Sequence, residues 1–146
     1  MKKLKFITLI LTIALVAVSC ETYDDYDTNR ETVVGFTKSS QNINGIPEGG
    51  EKSVTLDVFA SDLSNNDRTF TVISIPIANP EVDFPTADDN YTFDTSVIIP
   101  ANERMGSITV TGVDVSITNE RSFFMLAIKG TENNVSGGQI KIGLKN

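Results

Sequence analysis

Nineteen carboxylates and a single thiol are the side chains of this sequence with the most evident chemistry, and they are unevenly placed. There is no His, so no Ser-His-Asp or Cys-His arrangement exists and no imidazole is present to bind a metal. Carboxylates alone can still work in pairs, as acid and base or nucleophile on a glycosidic bond. Nothing in their spacing makes two of them converge, so the chain is expected to be non-catalytic. A small carboxylate-dependent, glycan-active enzyme is the alternative. The acids concentrate in loops. The stretch 79–91, NPEVDFPTADDNY, holds two prolines and four acids and is the longest irregular stretch of the domain. Long loops in compact domains are disproportionately functional, which makes Asp83, Asp88, Asp89 and Asn90 candidate binding residues. The pairs Gly49-Gly50 and Gly137-Gly138 fall between expected strands, where a positive φ is a simpler reason for glycine than a phosphate cradle.

The thiol, Cys20, sits at the end of a different kind of segment. Residues 1–5 are basic and residues 6–18 are an apolar run, shorter than the ~17–25 residues that cross a bilayer. The proportions are those of a secretory signal. Ala17-Val18-Ser19-Cys20 resembles the lipobox of bacterial lipoproteins, with Ala17 where Leu is usual. The resemblance implies cleavage before Cys20, acylation of its sulfur and attachment to a membrane through that lipid. Residues 1–19 are therefore expected to be a signal peptide, 20–31 a lipidated Cys with an acidic tether, and 32–146 one folded domain. The tether, ETYDDYDTNRE, has no aliphatic residue to bury. Its eleven residues reach at most ~35–40 Å when extended. Acids soon after the Cys resemble the surface-export signal of Bacteroidota lipoproteins, which implies an outer-membrane, surface-facing location. The formal net charge is −7, and three of the 12 basic residues lie in the leader. A chain this acidic repels nucleic acid, so a protein or glycan is the expected partner.

The elements that must hold the loops read as strands. Residues 96–128 carry three short apolar runs separated by turn signals, the pattern of an antiparallel sheet protein. Val54, Leu56 and Val58 alternate with polar neighbours, as do Ile140, Ile142 and Leu144. Phe124, Leu126 and Ile128 are expected in the core, facing Leu56 and Ile142. Their neighbours Phe123, Met125 and Ala127 are also apolar, which predicts a central strand or a covered outer face. From Phe70 to Ile77 the apolar positions change phase, which predicts a bulge or burial on both faces, and Pro76 should leave the sheet. Residues 42–50 and 131–138 read as turns and loop. Seven strands without an amphipathic helix predict an immunoglobulin-like Greek-key β-sandwich.

Several of these segments resemble a known family. Pro47-Glu48-Gly49-Gly50, Asp88-Asp89-Asn90-Tyr91, Ile99-Pro100-Ala101-Asn102-Glu103, Ile108-Thr109-Val110 and the Phe124-Leu126-Ile128 pattern look like the successive motifs of Calx-beta domains. Some members of that family bind calcium through loop carboxylates at one end of the sandwich. The resemblance implies Glu48, Asp89, Asp114 and Glu120 as candidate calcium ligands, with calcium the only cofactor in view. Ca²⁺ takes six to eight oxygens. Here Asn90 and Val115 stand where the family has Asp, which removes charge and ligand together. The expected function is a non-catalytic surface lipoprotein used for adhesion, scaffolding or accessory binding, with a calcium-binding module as a further alternative. The turn at Glu48, the loop 79–91 and the turn 114–120 should gather at one end.

Overall fold

Alternation of apolar and polar residues builds two sheets that face each other across one core. The computed structural model describes residues 30–146. Its strands are β1 (Thr32–Phe36), β2 (Ser40–Asn44), β3 (Glu51–Ala60), β4 (Arg68–Ile75), β5 (Tyr91–Phe93), β6 (Ser96–Ile99), β7 (Met105–Val113), β8 (Ser122–Ile128), β9 (Asn134–Ser136) and β10 (Ile140–Lys145). One sheet has the order β5-β7-β3-β1-β9 and the other β2-β10-β8-β4-β6. The longest register joins β3 to β7, from Glu51↔Val113 to Phe59↔Met105. It sets Leu56, Val58, Ile108 and Val110 inward, all nearly inaccessible to solvent. Phe124, Leu126 and Ile128 are buried with them, as the alternation predicts. Ile142 lies beside Phe124 in the same sheet rather than across from it. The fold is an immunoglobulin-like β-sandwich.

Among the described residues ten strands replace the expected seven, and the three additions share a cause. β2, β5 and β9 are edge strands of three to five residues, each paired on one side. An edge strand needs few inward apolar residues, and β2 has only Ile43 buried. The first two and the last two strands change sheets together. β1 runs parallel to β9 in one sheet, and β2 runs parallel to β10 in the other. At the change the backbones touch: Gly137 N–H donates to Val34 C=O (2.7 Å) and Phe36 N–H to Gly138 C=O (3.0 Å). A Cβ on Gly35 would collide with the Gly138 nitrogen, and one on Gly138 would lie 2.9 Å from the Phe36 oxygen. Gly137 and Gly138 therefore serve close approach, not the positive φ expected of them; among the glycines only Gly45 and Gly49 have one.

β4 resolves the phase change without a bulge. Residues Arg68–Thr71 pair with β6, and Val72–Ile75 pair with β8, with no residue skipped in either register. Val72 points into the core, while Ile73 and Ile75 lie half-buried on the outer face beside Ala127 and Met125. Burial on both faces is the operative alternative. β4 ends at Ile75, and Pro76 leaves the sheet. Beyond it Phe84–Thr86 takes the vacated edge of β8: Phe123 N–H donates to Phe84 C=O (2.8 Å) and Thr86 N–H to Phe123 C=O (2.7 Å).

Candidate functional site

The turn at Glu48, the 3₁₀ turn Asp88–Asn90 and the loop after β7 meet at one end of the sandwich. Gly50 N–H closes the first turn on Pro47 C=O at 2.9 Å, and Gly49 takes a φ of +64° that only glycine adopts at no cost. The turn is tied to the loop after β7 by Asp114. One carboxylate oxygen of Asp114 accepts from Gly49 N–H (2.9 Å) and the other from Ile117 N–H (3.0 Å). Its own N–H donates to Gly50 C=O at 2.8 Å.

Asn90 performs the same service from the other side. It is 3% exposed. Its Oδ1 accepts from Val115 N–H (3.1 Å) and Ser116 N–H (2.8 Å), and its Nδ2 donates to Ser116 Oγ (2.8 Å) and Asp89 Oδ1 (3.3 Å). A carboxylate could accept those bonds but could not make the two donations. A buried amide that uses both ends is held strongly in place, because leaving any of its groups unpaired costs about 1–3 kcal/mol. The family resemblance alone makes Asn90 a lost carboxylate ligand; the structure gives it this bracing role instead. The available signal was an amide among acids, directly before the apolar residue that opens a strand.

These bonds shape an open depression of about 600 Å³, lined by Glu48, Asp114, Ser116, Asn119 and Asn146 among others. Glu48 stands exposed at its rim, and Asp89 is exposed beside Asn90. Glu120 lies on a separate turn, where its N–H bonds Thr118 Oγ at 3.1 Å. Among the described residues no group of three or more Asp, Glu, Cys or His stands close enough to hold a metal ion. The loop 79–91 does not stay together as expected. Because Phe84–Thr86 follows β8, Asp83 is carried to the outer face. There both its oxygens pair with Lys141 Nζ (3.0 and 3.1 Å), itself 5.0 Å from the centre of the Phe123 ring. Only Asp88, Asp89 and Asn90 reach the end. Cys20 lies outside the described residues.

Next to the depression, the end of β4 and the Asp88–Tyr91 segment line an open slot of about 310 Å³. Tyr91 forms one wall, stacked on Phe124 at 3.8 Å between ring centres and 10° between planes. Its hydroxyl donates to Asp88 Oδ1 (3.1 Å) and accepts from Ser74 Oγ (3.3 Å). Burial pushes the Tyr91 hydroxyl above its ordinary pKa; the Ser74 bond pulls the other way, and the Asp88 bond and charge add to the rise.

The opposite end is built differently. Asp62 accepts from Arg68 (2.8 Å) and from Thr32 Oγ1 (3.0 Å). Burial alone would raise the Asp62 carboxyl, but the bonds from Arg68 and Thr32 and the Arg68 charge outweigh it and hold it below its ordinary value.

No protein-family model matches this chain, and no curated protein does. Solved structures do. A Bacteroides ovatus protein proposed to bind carbohydrate superposes with a TM-score of 0.62 at 9% identity, over 77% of this chain and 36% of its own. A two-domain Bacteroides fragilis protein of unknown function gives 0.61 at 12%, over 79% and 45%. The chain thus spans less than half the length of either Bacteroides protein. The apo form of the Calx CBD1 domain gives 0.55 at 10%, over 80% of this chain and 100% of that domain. At such identities the likeness concerns the fold, which is Calx-beta-like.

Proposed function

We propose that the chain is a non-catalytic binding module, exported, held to the outer membrane by lipid on Cys20 and facing outward. The observation that supports it most is the sandwich itself. Its core is filled, its acidic loop end is fixed by its own hydrogen bonds, and its relatives in fold include a Bacteroides protein proposed to bind carbohydrate. A rigid end of this kind suits recognition, because loops ordered beforehand lose little entropy on binding. The chain enters the domain at Thr32, beside Asp62, and the Asp114 loop lies at the other end of β3. The acidic end and the slot, away from Thr32 and Asp62, form the end we assign to a partner. Adhesion, scaffolding and accessory binding all use such an arrangement.

Cell fractionation and protease shaving test the reading. Wild-type protein is expected in the outer-membrane fraction and open to protease on intact cells, and Cys20→Ala is expected to leave the membrane. Retention of Cys20→Ala in the membrane, with no acyl chain on the parent by mass spectrometry, contradicts it.

A further inference from the structure

We infer that the slot between the end of β4 and the Asp88–Tyr91 segment receives a primary ammonium group on an aliphatic stem, the side chain of a lysine on a protein partner. The inference rests on the binding-module reading and names the partner's chemistry. The slot, about 310 Å³, is at the small end of the range for ligand sites. Two kinds of surface line it. Ile75, Pro76, Ile77, Pro85 and Phe123 give apolar walls, and Ser74, Thr86, Asp88 and Tyr91 give oxygens.

The oxygens are oriented. Ser74 donates to Tyr91 and Tyr91 to Asp88, so the proton of each hydroxyl is committed and the carboxylate is held by the last bond. One oxygen of Asp88 accepts that bond, and the other has no donor among the described residues. No Lys or Arg lines the slot, and the nearby Lys141 is paired with Asp83 on the outer face. Asp88, exposed and tied by the Tyr91 bond, stands beside apolar walls in a chain of net charge −7, which selects a cation with methylenes behind it.

Competing ligands fit less well. A sugar ring wants an open aromatic face, and Tyr91 is 9% exposed and stacked on Phe124 at 3.8 Å between centres. Calcium wants six to eight oxygens, and four side chains supply oxygen here, only one of them a carboxylate. A guanidinium binds best to both oxygens of one carboxylate, and Tyr91 already engages one of them. An ammonium group has three donors that turn freely, which suits separate acceptors on Asp88 and Ser74.

Titration of Nα-acetyl-lysine methylamide into the full-length, isotope-labelled protein tests this by amide chemical shifts. Saturable shifts are expected at Ser74 and Tyr91, with little response to the Nε-acetylated probe, whose charge is gone. Asp88→Asn should weaken binding roughly tenfold or more, the effect of losing a charge-assisted bond. Tyr91→Phe, which keeps the stack and frees Asp88, should give an intermediate loss. Glu81→Gln removes the same charge outside the slot and should leave affinity unchanged. The inference is overturned by absent saturation, by equal binding of the acetylated probe, by equal loss in Glu81→Gln, or by maltotriose shifting the slot in place of lysine. Any of those results would leave the anchored-module reading intact, since that reading is decided by fractionation and shaving.

Discussion

The two ends of this sandwich are closed by different physics. At one end, buried or half-buried side chains take up backbone N–H groups: Asn90 holds Val115 and Ser116, and Asp114 holds Gly49 and Ile117. At the other, Arg68 and Asp62 form an ion pair in which the Asp62 side chain is 51% exposed. Solvent competes for the second arrangement and for the surface bond of Gly49 to Asp114, but hardly at all for buried Asn90. An exposed pair is therefore worth ~0–1 kcal/mol, whereas a buried donor or acceptor left without its partner costs about 1–3 kcal/mol. The end that resembles a cation site is thus the end that protein bonds hold most firmly.

The core that both ends share sets the scale for testing this difference. Leu126→Ala should cost about 2–5 kcal/mol in denaturant unfolding. A loss below ~0.5 kcal/mol would mean that the strand's inward face is misassigned. Next in size is Asn90→Ala, expected to cost about 1–3 kcal/mol and to loosen the loop after β7 more than the core. A loss no larger than that of Asp62→Asn would erase the contrast between the ends. Asp62→Asn itself is expected to cost ~1 kcal/mol or less, and high salt should shrink the difference further.

Acidity separates the ends in a second way. The folded-state value of Asp62 is lowered, so its contribution is complete at neutral pH and disappears as pH falls through that lowered value, below the ordinary 3.8. Tyr91, beside the bonded end, is raised. Its contribution is complete below 10.0 and is lost as pH rises through the higher folded value. Unfolding curves of Asp62→Asn should therefore lose part of the wild-type acid dependence, and those of Tyr91→Phe part of the alkaline dependence. Unaltered pH profiles in both variants would contradict these couplings. The smallest effect concerns calcium. In excess monovalent salt it is expected to add nothing to the melting temperature, and a saturable shift abolished by Asp114→Asn would restore a calcium site.

Much of the fold was legible because a strand with one buried face writes its position into every second residue. Val54, Leu56 and Val58 announce β3, and Phe124, Leu126 and Ile128 announce β8. β2 and β9 escaped because a short edge strand buries one side chain, Ile43 or Asn134, and one residue makes no period. The candidate site was less legible. Sequence places acids in loops but does not say which backbone N–H groups they meet. The Asn90 bonds reach 25 and 26 residues along the chain, and the Gly49–Asp114 bond reaches 65. Asp83 and Asp88 are five positions apart, yet the Phe84–Thr86 pairing sends them to different faces. The slot was invisible for the same reason, since Ser74 and Asp88 approach only through Tyr91.

Amide hydrogen exchange at Gly49, Val115, Ser116 and Ile117, in chelator and in calcium, tests most directly whether the acidic end is closed by its own side chains. All four amides are expected to be protected in chelator, to gain nothing from calcium, and to lose protection at Val115 and Ser116 in Asn90→Ala. Fast exchange of these amides in chelator, slowed only when calcium is added, would contradict the account.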